Sequence, residues 1–218
     1  MIQNTLQRVF TENYPMLIIF TVVIVAIRIA YLIVNKKEFV FYKELFYLAF
    51  VVYSISLFYV VTFEDNNYGT NNFIPFREIT RYEFLSTYFI KNVLGNVILF
   101  IPFGYFVSTL IKSKKPFAIL LVALLTSLTI EVTQYMIGRT FDIDDIILNV
   151  IGCTIGYLLF LVIYVLEKNI KIFQKNYVKN ILVIIMIILL GILYWKTSLW
   201  GILRWLQSLI WLMKILMN

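Results

Sequence analysis

Six long apolar runs divide the chain: Pro15–Val34, Leu45–Phe63, Val93–Ile111, Phe117–Ile137, Ile146–Leu166 and Val178–Trp195. A helix crosses the hydrocarbon core of a bilayer with about 20 mostly apolar residues, and these runs match or approach that length. The tail from Thr197 to Asn218 is also apolar, with a narrow polar stripe of Arg204, Gln207, Ser208 and Lys214. That stripe predicts an interfacial amphipathic helix, with a seventh span as the alternative. The expected fold is an all-α integral membrane protein, a compact bundle of about six transmembrane helices plus a C-terminal amphipathic helix. It divides into a polar N-terminus (1–14), a first transmembrane hairpin (15–63), a core of one loop and three spans (64–166), and a last part (167–218). The last part holds a basic loop, the final span and the tail. Residues 1–14 are polar and the run after them is too long for a signal core, so no cleavable signal peptide is expected.

Composition agrees with lipid as the main solvent. Of 218 residues 61% are hydrophobic and only 14% are charged, against about a quarter charged in soluble domains. The net charge of +7 is informative through its placement. The segments 35–44, 112–116 and 167–180 hold ten lysines against Glu38, Glu44 and Glu167. The alternate segments hold Arg8, Arg77, Arg81, Lys91 and Arg139 against nine acids, among them Glu78, Glu131, Asp142, Asp144 and Asp145. This is the positive-inside pattern and not a nucleic-acid patch. It predicts a multi-pass protein of the cell membrane with the N-terminus and the 64–92 and 138–145 loops extracytoplasmic. There is no histidine, which removes Ser-His triads, histidine phosphatases and most zinc sites. The single cysteine, Cys153, lies in an apolar run and reads as a small packing residue.

Polar residues inside spans are costly and ask for a reason. In the fourth run Ala123, Ser127, Glu131, Gln134 and Gly138 fall on one helical face. In the fifth, Asp142, Asp145, Asn149, Gly152 and Gly156 do the same, ending in a GxxxG that permits close helix approach in lipid. A short loop from Arg139 to Asp142 makes these two helices an antiparallel pair with facing stripes. The third run brings Asn92 and Asn96 to its outer end, and Pro102 with Gly104 predicts a kink or break. The segment Asn71–Arg77 is too apolar for a solvated loop and is expected to dip into the protein or lie at the interface. Each feature also has a plain structural role. Asp142, Asp144 and Asp145 suit a helix N-terminus, Arg139 and Asp142 an i,i+3 pair, and Glu131 and Gln134 interhelical glue. Arg28 suits a lipid-facing snorkelling residue or a structural partner. What exceeds those roles is convergence at one depth, on one side, of Asn72, Asn96, Glu131, Gln134, Arg139, Asp142, Asp145 and Asn149. The expectation is a connected cluster there, with Gln134 and Asn96 as partners of Glu131 and Arg139 above them.

At these residues the sequence resembles the VanZ-like family. The resemblance is carried by Asn72-Phe73-Ile74-Pro75-Phe76, by Asn96 through Gly104, by Glu131-Val132-Thr133-Gln134, and by Gly138-Arg139 followed by Asp142, Asp145, Asn149, Gly152 and Gly156. These segments lie within about residues 50–165. The family's namesake is associated with low-level resistance to teicoplanin, a glycopeptide acting at the outer membrane face of Gram-positive bacteria. The resemblance thus implies a cell-envelope role without naming a reaction, and no cofactor is called for. Three readings stay open. One is a binding protein whose outer pocket takes membrane lipid, a lipid-linked cell-wall intermediate or the antibiotic. There the asparagines and Gln134 would supply amide hydrogen bonds, and Arg139 would meet phosphate or carboxylate. Another is an intramembrane enzyme on a lipid-linked phosphate, with Glu131 as general acid or base and Asp142 and Asp145 as metal ligands. The third is a small flippase or transporter hinged at Pro102–Gly104, which the lack of an inverted repeat weighs against.

Overall fold

A computed structural model describes residues 2–63, 70–189 and 191, with side chains of 2–14, 16, 17 and 61–63 excepted. The expected amphipathic tail, the end of the sixth run and Glu64 and Asp65 lie outside the described residues. The helices are α1 (Ile2–Val34), α2 (Phe41–Phe63), a short α3 (Arg77–Arg81), α4 (Gly95–Ile111), α5 (Pro116–Met136), α6 (Ile143–Asn169) and α7 (Asn176–Leu189). A π-helical turn, Phe89–Leu94, leads into α4.

The protein is an all-helical membrane bundle. Four helical stretches are long and apolar enough to cross a membrane: Phe41–Val60, Phe89–Ile111, Pro116–Met136 and Ile143–Asn169. The first and last expected spans correspond to shorter apolar stretches, Ile18–Val34 and Asn176–Leu189. Pro15 does not start the first helix. It sits inside α1, which reaches back to Ile2.

Hydrophobic burial does not hold helices together in lipid, because the tails are as apolar as leucine; close packing does. The bundle is accordingly packed backbone to backbone around α4 and α6. A methyl group added at Gly104 would strike the backbone of Cys153. One at Gly152 would strike the Val97 carbonyl, and one at Gly156 the Ile101 carbonyl. Phe100, Phe103, Val107, Ile119, Ala123, Cys153 and Tyr157 form the buried core where α4, α5 and α6 meet. α2 docks on α4 through aromatic rings, with Phe46, Phe50 and Tyr53 lying 5.0, 5.4 and 5.5 Å from Phe106. The outward faces carry exposed Ile27, Leu125, Val162 and Val165, the surface that lipid covers.

One expectation changes here and another is decided. Pro102 does not break the third span, because α4 runs continuously from Gly95 to Ile111 with Pro102 inside it. The irregular backbone instead lies more than two turns earlier, in the π-helical turn that carries Asn92. Of the two neighbours open to the small-residue stripe of α6, the fourth span and the third, its glycines take the third. Gly152 and Gly156 turn to α4, while Asn149 turns to α5. A helix held between two neighbours must divide even a narrow stripe between them.

Candidate functional site

α5 ends in a Schellman cap. Gly138 adopts φ +87°, its amide reaches the Tyr135 carbonyl at 3.1 Å, and the Arg139 amide reaches the Gln134 carbonyl at 3.0 Å. Glycine suits that left-handed position because it lacks a Cβ. The chain then turns through Arg139–Phe141 and starts α6 at once. Asp142 is the N-cap of α6, and its carboxylate accepts from the Asp144 amide at 2.8 Å. Three polar residues of α5 line up below, with Ser127, Glu131 and Gln134 all buried, as the stripe predicts.

Glu131 is 1% exposed, and its carboxylate accepts from the backbone amide of Asp142 at 2.9 Å. Sequence reasoning pairs Glu131 with Gln134 and Asn96. The structure sends Asn96 elsewhere: its amide donates to the Asp145 carboxylate, tying α4 to α6. The reason is helical phase, since Asp145 faces α4 while Glu131 faces the capped start of α6. Asn149, one turn below Asp145, donates to the Ser127 hydroxyl at 2.9 Å. The Oδ1 of Asn149 is buried without a hydrogen-bond partner among the described residues, which costs on the order of 1–3 kcal/mol.

The loop before the third span is pinned to this layer. Asn72 forms an isolated parallel bridge with Asp142: its amide donates to the Phe141 carbonyl at 2.8 Å, and its carbonyl accepts from the Ile143 amide at 3.0 Å. Its side-chain amide also donates to the Asp142 carboxylate at 2.8 Å. The segment therefore dips into the protein at Asn72, which is 3% exposed, and swings its apolar side chains outward. Phe73, Ile74 and Phe76 stand 65%, 60% and 57% exposed beside the polar layer, with Phe73 stacked on Phe141 at 5.3 Å.

Asp144 is the residue that sequence reasoning undervalued. It is 1% exposed, and its carboxylate accepts from the backbone amides of Phe76, Glu78 (2.7 Å) and Ile79 (3.3 Å). It thereby holds the N-terminal end of α3 and fixes Phe76 at φ +66°, a left-handed conformation that bulky residues rarely adopt. The available signal was position. An aspartate in the first turn of a helix beside an apolar loop, off the stripe of its neighbours, has a separate partner to satisfy.

Of the eight sequence-predicted residues, Asn72, Asn96, Glu131, Asp142, Asp145 and Asn149 join this layer through the bonds above. Gln134 and Arg139 flank it at the end of α5. Asp142 is taken up by its cap and Asn72, Asp145 turns to Asn96, and no group of three metal-ligating Cys, Asp or Glu side chains occurs among the described residues. Burial pushes the Asp142 carboxyl above its ordinary value. The charges of Asp144 and Glu78 add to that shift, while the Asp144 amide and Asn72 oppose it.

The model of one protein family, described as VanZ/LLP1, matches residues 44–166. This is more than half of the chain and contains every residue of the polar layer. No curated protein and no solved structure matches the chain.

Proposed function

The chain belongs to the VanZ/LLP1 family, and from that premise we propose that it is a bacterial cell-envelope protein whose outer polar layer binds an amphiphile. The ligand class is a lipid-linked cell-wall intermediate or a lipid-bearing glycopeptide of the teicoplanin type, and binding contributes to glycopeptide resistance. The lysine distribution supports placing this layer on the extracytoplasmic side, with the N-terminus. One observation carries the reading. A loop anchored through Asn72 and Asp144 holds Phe73, Ile74 and Phe76 exposed directly over the buried polar groups. Apolar chains and a polar headgroup would thus meet adjacent surfaces built for each. Arg139 beside the layer suits a phosphate or carboxylate. The enzymatic reading is less favoured because two of its three carboxylates, Glu131 and Asp142, already accept from backbone amides.

Glu131→Gln tests the proposal. Glutamine keeps the acceptor for the Asp142 amide and removes the charge, so folded yield should stay near wild type. Teicoplanin susceptibility of cells carrying the variant should return to that of cells without the protein. Undiminished resistance in Glu131→Gln, Asp145→Asn and Arg139→Ala alike would show that ligand binding lies elsewhere.

A further inference from the structure

We propose that a cavity at the opposite, lysine-rich end of the bundle holds the phosphodiester headgroup of an anionic membrane lipid. The cavity measures about 520 Å³ and lies between the end of α1, the turn to α2, the first turns of α2, and Asn176 at the start of α7. Its inner wall is neutral. Arg28 donates to both carboxylate oxygens of Glu44 at 2.7 and 3.1 Å, and its guanidinium lies 4.6 Å from the Tyr47 ring centre. Arg28 is therefore a structural partner and not a snorkelling residue.

The rim is cationic. Lys36, Lys37 and Lys43 line the cavity, and none has an ion-pair partner among the described residues. Beyond the paired Glu44, Glu38 is the one acid in the lining, so three lysines face one carboxylate. The backbone places two of these lysines with care. α1 closes in a Schellman cap, with the Lys37 amide on the Leu32 carbonyl at 3.0 Å and the Lys36 amide on the Ile33 carbonyl at 3.2 Å. Lys36 occupies the left-handed position at φ 48°, where glycine is usual. The site thus keeps a cation at some conformational expense.

A pocket of lysines between transmembrane helices recognises lipid phosphate by its charge. Lipid is favoured over a soluble phosphate ester by the adjoining surface. Ile33, Val34 and Phe39 stand 71%, 78% and 66% exposed around the same turn, where acyl chains would lie against them. The neutral, hydrogen-bonded floor takes no part in charge recognition, so the lysines can be changed without disturbing the helix contact.

The full chain is purified into nanodiscs of phosphatidylcholine with a minor share of phosphatidylglycerol, and retained lipid is counted by native mass spectrometry. Wild type should retain phosphatidylglycerol in preference to phosphatidylcholine. The Lys36→Ala, Lys37→Ala, Lys43→Ala triple variant should retain it about tenfold less, since each lysine near a phosphate contributes measurably. The corresponding triple arginine variant should retain it. A control triple, Lys112→Ala, Lys114→Ala and Lys115→Ala, lies on the same membrane face outside the cavity and should behave as wild type. Equal loss in the control would mean diffuse surface attraction and would overturn the proposal, as would full retention by the alanine triple. Displacement of the lipid by millimolar glycerol phosphate would assign the site to soluble phosphate esters and refute the lipid.

Discussion

Replacing Asp144 with alanine removes the acceptor shared by the amides of Phe76, Glu78 and Ile79 and by the Asn72 side chain at 3.5 Å. Hydrogen bonds to a charged group contribute about 1.5–3 kcal/mol each net. The bonds to Phe76 and Glu78 are well formed; those at 3.3 and 3.5 Å count for little. Phe76 is largely exposed and Glu78 half-buried, so water takes up part of what is lost. The expected weakening of the loop anchor is then about 2–4 kcal/mol, a rise in loop opening of roughly thirtyfold to a thousandfold. Strain adds in the same direction, because Phe76 at φ +66° has no reason to stay left-handed once released. α6 itself should persist, since its cap is the neighbouring Asp142. The assay is amide hydrogen exchange of the purified protein in detergent, read at Phe76, Glu78 and Ile79 against the core of α4. Asp144→Asn keeps one good acceptor oxygen and should fall between wild type and alanine. Unchanged protection of the Phe76 and Glu78 amides in Asp144→Ala would refute the anchoring argument.

Two further outcomes are expected. Gly152→Ala and Gly156→Ala place a methyl group into the Val97 and Ile101 carbonyls, so both should lower melting temperature and folded yield, and Gly138→Ala, with open space around it but φ +87°, should cost less, about 1 kcal/mol; wild-type melting in the first two would mean that α4 and α6 are not in backbone contact. For Asp142, burial raises the folded pKa above the ordinary 3.8, so the folded state holds this proton more tightly than the unfolded chain. The resulting stability is fully present below that ordinary value and is lost as pH rises through the folded one; Asp142→Asn, which keeps a capping oxygen, should flatten that fall in melts taken at rising pH from the ordinary value upward, and an unaltered slope would count against it.

Much of the architecture follows from one-dimensional pattern. A segment facing lipid must satisfy its backbone internally, so each apolar run had to be a helix, and charge written into the connections predicts which ends lie together. The stripe Ala123, Ser127, Glu131 and Gln134 was legible for the same reason: four residues at helical spacing share a face whatever they pack against. Pairing was not legible in this way. Spacing places Asp142, Asp145, Asn149, Gly152 and Gly156 on one side of α6, but only the packing of two neighbours decides that Asn149 meets Ser127 while Gly152 meets Val97. The same holds for the carboxylates. Asp142, Asp144 and Asp145 are near-identical neighbours in sequence. They become a helix cap, a loop anchor and an interhelical contact because a helix turns about 100° per residue and so aims them apart, toward its own end, the 71–81 loop and α4.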